Sequence, residues 1–409
     1  MAHIPLQSVR VPETDAQTSY RPALVSLAVL YFMMGFITCL NDTLVPFFKK
    51  GFQLSYSQSS LVQFYFFLTY GIMSIPAGRL VEKVGYKKGM VLGFAVAGAG
   101  ALLFLPASLL HEYTLFLGAL FVIAIGIVLL QVAANPYITV LGPAETASSR
   151  LTLIQGVGSL GTTLAPLFGA AFILAPLQEA SSDAVQYPYL GIAALLAIIA
   201  LTVSRLHLPD IQVQAEEKSQ TQGRSVFSFR NLRFGILGIF CYVGAEVSVG
   251  TFLTNYITDT VHITENEANG YVSLYWGSML VGRFLGAYLL KFLKASATLA
   301  TCAGLAIVLI GFSINATGYV AVWSMIAVGL CNSIMFAIIF SLAVQGLGSY
   351  TTQASGLLST AIAGGAIVSY GQGLLIDHYT WPIAFLLPIL CYAYLVFFGL
   401  NGHKSSLAS

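Results

Sequence analysis

Apolar runs of 18 or more residues, separated by short polar stretches, recur along nearly the whole chain. Each is long enough to cross about 30 Å of hydrocarbon at about 1.5 Å per helical residue. Twelve such runs can be laid out, at 24–47, 60–80, 89–110, 114–141, 151–176, 187–208, 233–258, 270–292, 298–315, 319–346, 354–377 and 382–401. They predict an all-α integral membrane protein of twelve transmembrane helices. The ten-residue alternation that marks a membrane β-barrel is not present in the sequence.

The loops between these runs carry charge very unequally. Assigned alternately to two sides, they place sixteen of the 18 Lys and Arg on one side and only Lys49 and Lys50 on the other. Basic loops face the cytoplasm, so both termini are expected there, in a plasma (inner) membrane. An odd number of spans would scramble the pattern. The first twenty residues are polar and carry Glu13 and Asp15, which is unlike a cleavable signal peptide.

Composition agrees with a chain solvated mostly by lipid. Of its 409 residues 57% are hydrophobic and 8% charged, against roughly 25% charged in soluble domains. A net charge of +2 without a basic stripe gives no reason to expect a nucleic-acid partner. Cys39, Cys241, Cys302, Cys331 and Cys391 all fall in apolar runs without metal-type spacing and read as small buried hydrophobes. All six histidines sit in termini, loops or span ends, which disfavours an intramembrane metalloenzyme. No nucleophile–base pair is evident, so an enzyme is not expected, and no cofactor.

A polar stretch at 208–233 divides six spans from six. The expected organisation is a cytoplasmic N-terminus at 1–23, a six-helix bundle at 24–208, a cytoplasmic linker at 209–232, a second bundle at 233–402 and a tail at 403–409. A weak repeat supports two related halves. GFITCLNDTLVPFF from Gly35 lines up with GAEVSVGTFLTNYI from Gly244, and Gly78-Arg79-Leu80 echoes Gly282-Arg283-Phe284. Such pseudo-two-fold symmetry is a mark of secondary transporters, which bind substrate near mid-membrane between the repeats.

Of the 16 acidic residues, only Asp42 and Glu246 lie well inside apolar runs. A carboxylate at a helix centre costs about 2.5–3.5 kcal/mol on insertion scales, so it faces a bundle interior or a watery cavity and is kept for a task. Low dielectric disfavours a charged carboxyl, which suits such a group to exchange a proton or to neutralise a bound cation. Uncharged polar groups gather in the same runs: Asn41, Gln63, Gln131, Asn135, Gln155, Asn255 and Asn332. Amides match the donors and acceptors of a sugar's hydroxyls, and Tyr65, Tyr275 and Trp276 could stack on its apolar ring face. Interhelical hydrogen bonding is the competing explanation for each amide. Clustered glycines, as at Gly156, Gly158 and Gly161, read as sites of close helix approach.

GRLVEKVGYKK at 78–88 resembles the cytoplasmic loop signature of the major facilitator superfamily, with Gly78, Glu82, Lys83 and Gly85 at its spacing. The resemblance implies the major facilitator fold and a conformational latch at this loop, assisted by Arg79 and Lys87, with Arg283, the repeat counterpart of Arg79, counted in the same latch. NDTLVPFF, QFYFFLTYGIMSIPAG, LQVAANPYITVLG, FCYVGAEVSVGTFL, VGRFLGAYLL and NSIMFAIIFSLAVQGLG are similar to the fucose/galactose/hexose symporter branch, most of all its glucose/galactose permeases, over residues 24–402. In fucose-transporting members an Asp of span one recognises sugar and a Glu before the Ala-Ala-Asn-Pro string carries the proton. Asp42 matches the first, but Gln131 stands at the second and cannot titrate. The resemblance therefore implies import of a glucose- or galactose-like hexose with a proton or a sodium ion, the latter with oxygen ligands from Asp42 and its neighbours. Asp42 and Glu246 are the candidate coupling residues. A fucose or N-acetylhexosamine symporter, an uncoupled sugar facilitator and a drug exporter are the alternatives, and a monomer in the lipid bilayer is the expected state.

Overall fold

A computed structural model describes residues 21–52, 61–174, 183–206 and 225–404. The expected N-terminal segment before residue 21, most of the linker (209–224) and the last residues of the tail (405–409) lie outside the described residues. Within them the apolar runs form twelve helical rods and no strand. These are α1 Arg21–Gly51, α2 Leu61–Val84, α3 Tyr86–Leu109, α4 Tyr113–Val140, α5 Ala147–Gly169, α6 Gln186–Arg205, α7 Arg230–Val261, α8 Glu265–Leu289, α9 Ala295–Ser313, α10 Gly318–Val344, α11 Gly348–His378 and α12 Trp381–Gly402. Ten are long and apolar enough to cross a membrane. The others, α2 and α8, hold charge: α2 ends in Arg79, Glu82 and Lys83, and α8 opens on Glu265 and contains Arg283.

Local chemistry sets several boundaries. Gly85 has φ +87°, a left-handed conformation that only glycine adopts without strain, and the chain turns there from α2 into α3. Thr264 and Glu267 form a reciprocal capping box that starts α8. Three runs that read as continuous are interrupted in the structure. α3 breaks at Leu103, α10 at Ser333–Ile334, and α11 tightens into a 3-10 turn over Ala361–Ala363. The chain also carries α4 straight through Pro136 without ending the helix.

Packing inverts the pattern of a water-soluble protein. Leucines, valines and aromatics such as Leu167, Phe292 and Val308 point outward, where lipid solvates them, while Asn231, Asn332 and Gln372 are buried. Where helices touch closely, side chains are absent. Gly35 of α1 backs onto Gly158 of α5, and a Cβ on Gly244 of α7 would meet Val368 and the Gly364 carbonyl of α11. These two glycines are the aligned starts of the sequence repeat, so equivalent positions make equivalent contacts in α1–α6 and α7–α12. A second parallel lies at the helix ends. Arg150 donates to the Ile138, Thr139 and Pro143 carbonyls at the end of α4, at 3.3, 2.9 and 2.8 Å. Asn231 Nδ2 donates to the Leu342, Ala343 and Gln345 carbonyls at the end of α10, at 3.2, 3.0 and 2.9 Å. Each clasp takes up carbonyls of a last helical turn, which the helix leaves unpaired, and one just beyond it.

The two bundles meet at the end where α7 begins and α6 finishes, here called the linker end. Ser149 Oγ donates to the Ala287 carbonyl at 2.5 Å, Ser148 and Ser341 share a hydroxyl hydrogen bond, and Thr352 Oγ1 donates to the Tyr86 hydroxyl at 2.9 Å. Beside them α2 and α11 pack backbone to backbone. A Cβ on Gly78 would lie 3.3 Å from Gly356 Cα, and one on Gly356 would lie 2.8 Å from the Ser74 carbonyl oxygen. The small and hydroxyl side chains of this seam let the bundles close without interdigitating.

Candidate functional site

In the second bundle, a polar knot forms around the break in α10. Interrupting a helix frees backbone carbonyls, which in lipid must find donors inside the protein. Tyr242 of α7 donates to the Asn332 carbonyl at 3.1 Å, and Arg283 Nε of α8 to the Ser333 carbonyl at 3.4 Å. The Asn332 side chain is used at both ends: Nδ2 donates to the Tyr275 hydroxyl at 3.0 Å, and Oδ1 accepts from the Tyr392 hydroxyl of α12 at 2.7 Å. Tyr275 also donates to the Glu246 backbone carbonyl at 3.3 Å. Into this knot comes the Glu246 carboxyl, against the Tyr242 hydroxyl and within the field of the Arg283 guanidinium. Glu246 and Arg283 are both half-buried.

Arg283 also reaches across to the first bundle, where Nη1 donates to Ser159 Oγ of α5. Ser159 in turn donates to the Gln155 carbonyl at 3.1 Å. The helices pack beside it: a Cβ at Gly156 would lie in ordinary contact with the Phe284 ring at 3.4 Å and Arg283 Cβ at 3.5 Å. Ser159 lies about ten residues, or roughly 15 Å at 1.5 Å each, beyond Ser149 along α5. The contact therefore falls toward the middle of the molecule, deeper than the linker-end seam.

The first bundle has its own polar cluster. The Tyr31 hydroxyl of α1 donates to Asn135 Oδ1 of α4, with Tyr70 of α2 nearby. One helical turn before Asn135, half-buried Gln131 presents a buried carbonyl oxygen that has no hydrogen-bond partner. An unpaired acceptor in a dry setting costs free energy, which a bound donor would recover.

The structure sorts the residues expected to serve the site. Asp42 and Asn41 belong to α1, and Gln63 to α2, but their side chains lie outside the described residues. Gln131, Gln155 and Tyr65 are half-buried, Asn255 is exposed near the end of α7, and Trp276 is 46% exposed. Gly250 makes room for the Trp276 ring, which would come within 2.6 Å of any Cβ there. Tyr275, packed edge-on against Trp276 at 5.2 Å, shows no surface, so of this pair only Trp276 presents a ring face. Asn332 and Asn135 are buried and engaged in interhelical hydrogen bonds, the competing explanation for an intramembrane amide.

Arg283, grouped with the latch through the repeat, sits within α8 as its span predicts and in the field of Glu246, where the break in α10 offers it a carbonyl. At the loop itself Arg79, Glu82 and Lys83 are exposed, and no hydrogen bond or ion pair holds them among the described residues. Contact there is made by Gly78 and Tyr86 instead. Sequence reasoning missed Tyr31, Tyr242, Tyr392 and Gln372. Tyr242 could have been found, since it stands one helical turn before Glu246 on the same face. Gln372, fully buried, accepts from Ser248 through Oε1 while its Nε2 is unpartnered.

An apolar hollow of about 640 Å³ opens between α1, α5 and α6, lined by Phe36, Phe168, Phe172, Tyr187 and Leu195 among others. Among the described residues its lining contains none of the two polar clusters and one charged group, Asp183.

Comparison with known proteins places the chain. The family model described as Major Facilitator Superfamily matches residues 27–370. A glucose/galactose transporter of Brucella abortus is 49% identical over 98% of this chain and 99% of its own length. The L-fucose-proton symporter of Escherichia coli is 34% identical over 97% of both. Among solved structures, the transporter FucP, crystallised in the outward conformation, superposes with a TM-score of 0.86 at 32% identity, over 95% of this chain and 100% of that one. With that fold and those relatives, the chain is an integral membrane transporter, not an enzyme, and it belongs to the major facilitator superfamily.

Proposed function

We propose that the protein imports a hexose of the glucose or galactose kind by symport with a cation, through alternating access around a site between the two bundles. The observation that carries this reading is the placement of Glu246 beside Arg283 and the cross-bundle contact at Ser159, which joins an intramembrane acid to the surface where the bundles must part. The similarity to glucose/galactose transporters at 49% identity supports the choice of sugar. Asp42 and Glu246 are assigned to coupling, and Gln131 with its unpaired acceptor, Gln155, Asn255 and the exposed Trp276 to the sugar, with Asn41, Gln63 and Tyr65 as further contacts. The closed linker end is read as the cytoplasmic side, so this conformation faces outward.

An inward cation gains about 2.3 kcal/mol per charge per 100 mV, enough to concentrate sugar when its binding is tied to that of the cation. Proton and sodium coupling are both consistent with two carboxyls. Gln131, where fucose-type members carry an acid, weighs against a fucose-type proton route. The test is radiolabelled hexose uptake into proteoliposomes under separately imposed sodium and proton gradients, with Asp42→Asn and Glu246→Gln in parallel. Accumulation driven by one gradient and lost in the variants is the expected result. Equilibration without accumulation under either gradient would refute symport.

A further inference from the structure

We propose that Arg283 ties the state of the Glu246 carboxyl to closure of the seam between the two bundles, so that neutralising Glu246 releases Ser159 and lets the linker end open. The proposal rests on the cation-coupled reading above and adds to it the element through which binding would reach the gate.

A guanidinium stays charged at any physiological pH, so it cannot escape a desolvated position by losing its proton. It must be held by partners, and Arg283 has two hydrogen-bond acceptors and one nearby counter-charge. The Ser333 carbonyl accepts from Nε at 3.4 Å, Ser159 Oγ accepts from Nη1, and the Glu246 carboxyl supplies the counter-charge. Only the last is ionised, and only Ser159 belongs to the other bundle. The other titratable groups facing Glu246 are Tyr242 from its own helix, Tyr275 from α8 and Tyr392 from α12. None of these phenols supplies a positive charge, so among the described residues Arg283 is the cation that answers the acid.

While Glu246 is a carboxylate, acid and guanidinium together are neutral, and the planar fork has a spare N–H directed at Ser159. Once a proton or a metal cation takes up the carboxyl charge, the guanidinium is left with neutral acceptors in a half-dry position. Water becomes its better partner, and turning toward water breaks the hydrogen bond to α5. The Ser159 contact sits beside Gly156, where α5 and α8 pack against each other, so its loss loosens the bundles on this line. A loaded transporter would thereby favour the inward-open state, and an empty one the closed seam.

The test reads the seam directly. Ser355 is fully buried near the start of α11, its hydroxyl unpartnered, so Ser355→Cys introduces a reporter thiol of similar size. Alkylation of this reporter by a membrane-impermeant maleimide, above the background of the native cysteines, is followed in inside-out vesicles. Glu246→Gln, Arg283→Gln and Ser159→Ala are each expected to raise the labelling rate at least threefold, and Arg283→Lys to raise it less than Arg283→Gln. Labelling at the parent rate in folded Glu246→Gln or Arg283→Gln protein would overturn the proposal. Should Arg283→Gln fail to fold, Ser159→Ala, which removes one hydroxyl, decides the matter by the same criterion. Failure of gradient-driven uptake in the parent would sink the symport reading while the labelling pattern stood. Normal uptake with flat labelling would sink only the tie assigned to Arg283.

Discussion

Gly356→Val tests whether the bundles close by backbone contact at the linker end. A Cβ at Gly356 falls 2.8 Å from the Ser74 carbonyl oxygen and 3.3 Å from Gly78 Cα, where ordinary contact begins at 3.4 Å. Even alanine is therefore about 0.6 Å too close to α2, and valine adds two methyl groups. Overpacking of this kind costs about 1–3 kcal/mol. The nearest atoms all belong to α2, in the other bundle, so the penalty falls on the closed state and vanishes when the seam parts. A bias of that size shifts the ratio of closed to open molecules about 5–150-fold. The assay is alkylation of a cysteine introduced as Ala287→Cys, buried at the same seam, where the Ala287 carbonyl accepts from Ser149. Its rate should rise at least fivefold, with the thermal midpoint little changed because neither bundle's own packing is touched. Gly71→Ala, on α2 with nothing within 4 Å, is the control. An unchanged rate in folded Gly356→Val protein would show that the seam absorbs the side chain without parting, and the reasoning would be wrong.

Asn332→Leu removes hydrogen bonds to two buried tyrosines. At about 0.6 kcal/mol per interhelical bond it should cost roughly 1 kcal/mol and a few degrees of thermal midpoint in detergent, and Tyr392→Phe about half as much. A larger loss of uptake than of stability would instead return Asn332 to the substrate. Arg150→Ala removes the guanidinium donor to the Ile138 and Thr139 carbonyls at the end of α4 and to Pro143, which keeps the Thr146 N–H, and should lower stability by about 1–2 kcal/mol. Arg150→Lys should restore only part of that, since one ammonium cannot span the carbonyls a guanidinium reaches. Trp276→Ala should raise the KM for sugar about three- to tenfold, as expected for loss of a stacking surface, while Trp276→Phe keeps most of the affinity. An unaltered KM in Trp276→Ala would remove that residue from the site.

Hydropathy alone determined the number, type and approximate ends of the helices, because a span needs only enough consecutive apolar residues to cross the bilayer, and that is a local property. The alignment of Gly35 with Gly244 was equally legible, and both glycines turned out to occupy matching helix contacts. The sequence also singled out Glu246, since an acid inside an apolar run stands out whatever surrounds it. Interruptions within helices were not legible. Ser333–Ile334 lies in a run as apolar as any other, and the break there persists because Tyr242 and Arg283, distant in sequence, take the freed carbonyls. For the same reason the repeat marked Arg283 as the counterpart of Arg79 and grouped it with the latch, and only tertiary packing brought it near Glu246 and onto Ser159. Amides were visible as a class but not by role. Whether Asn135 or Asn332 faces a partner helix, or Gln131 has an acceptor to spare, depends on which hydroxyls the other helices bring within about 3 Å, and no single span encodes that.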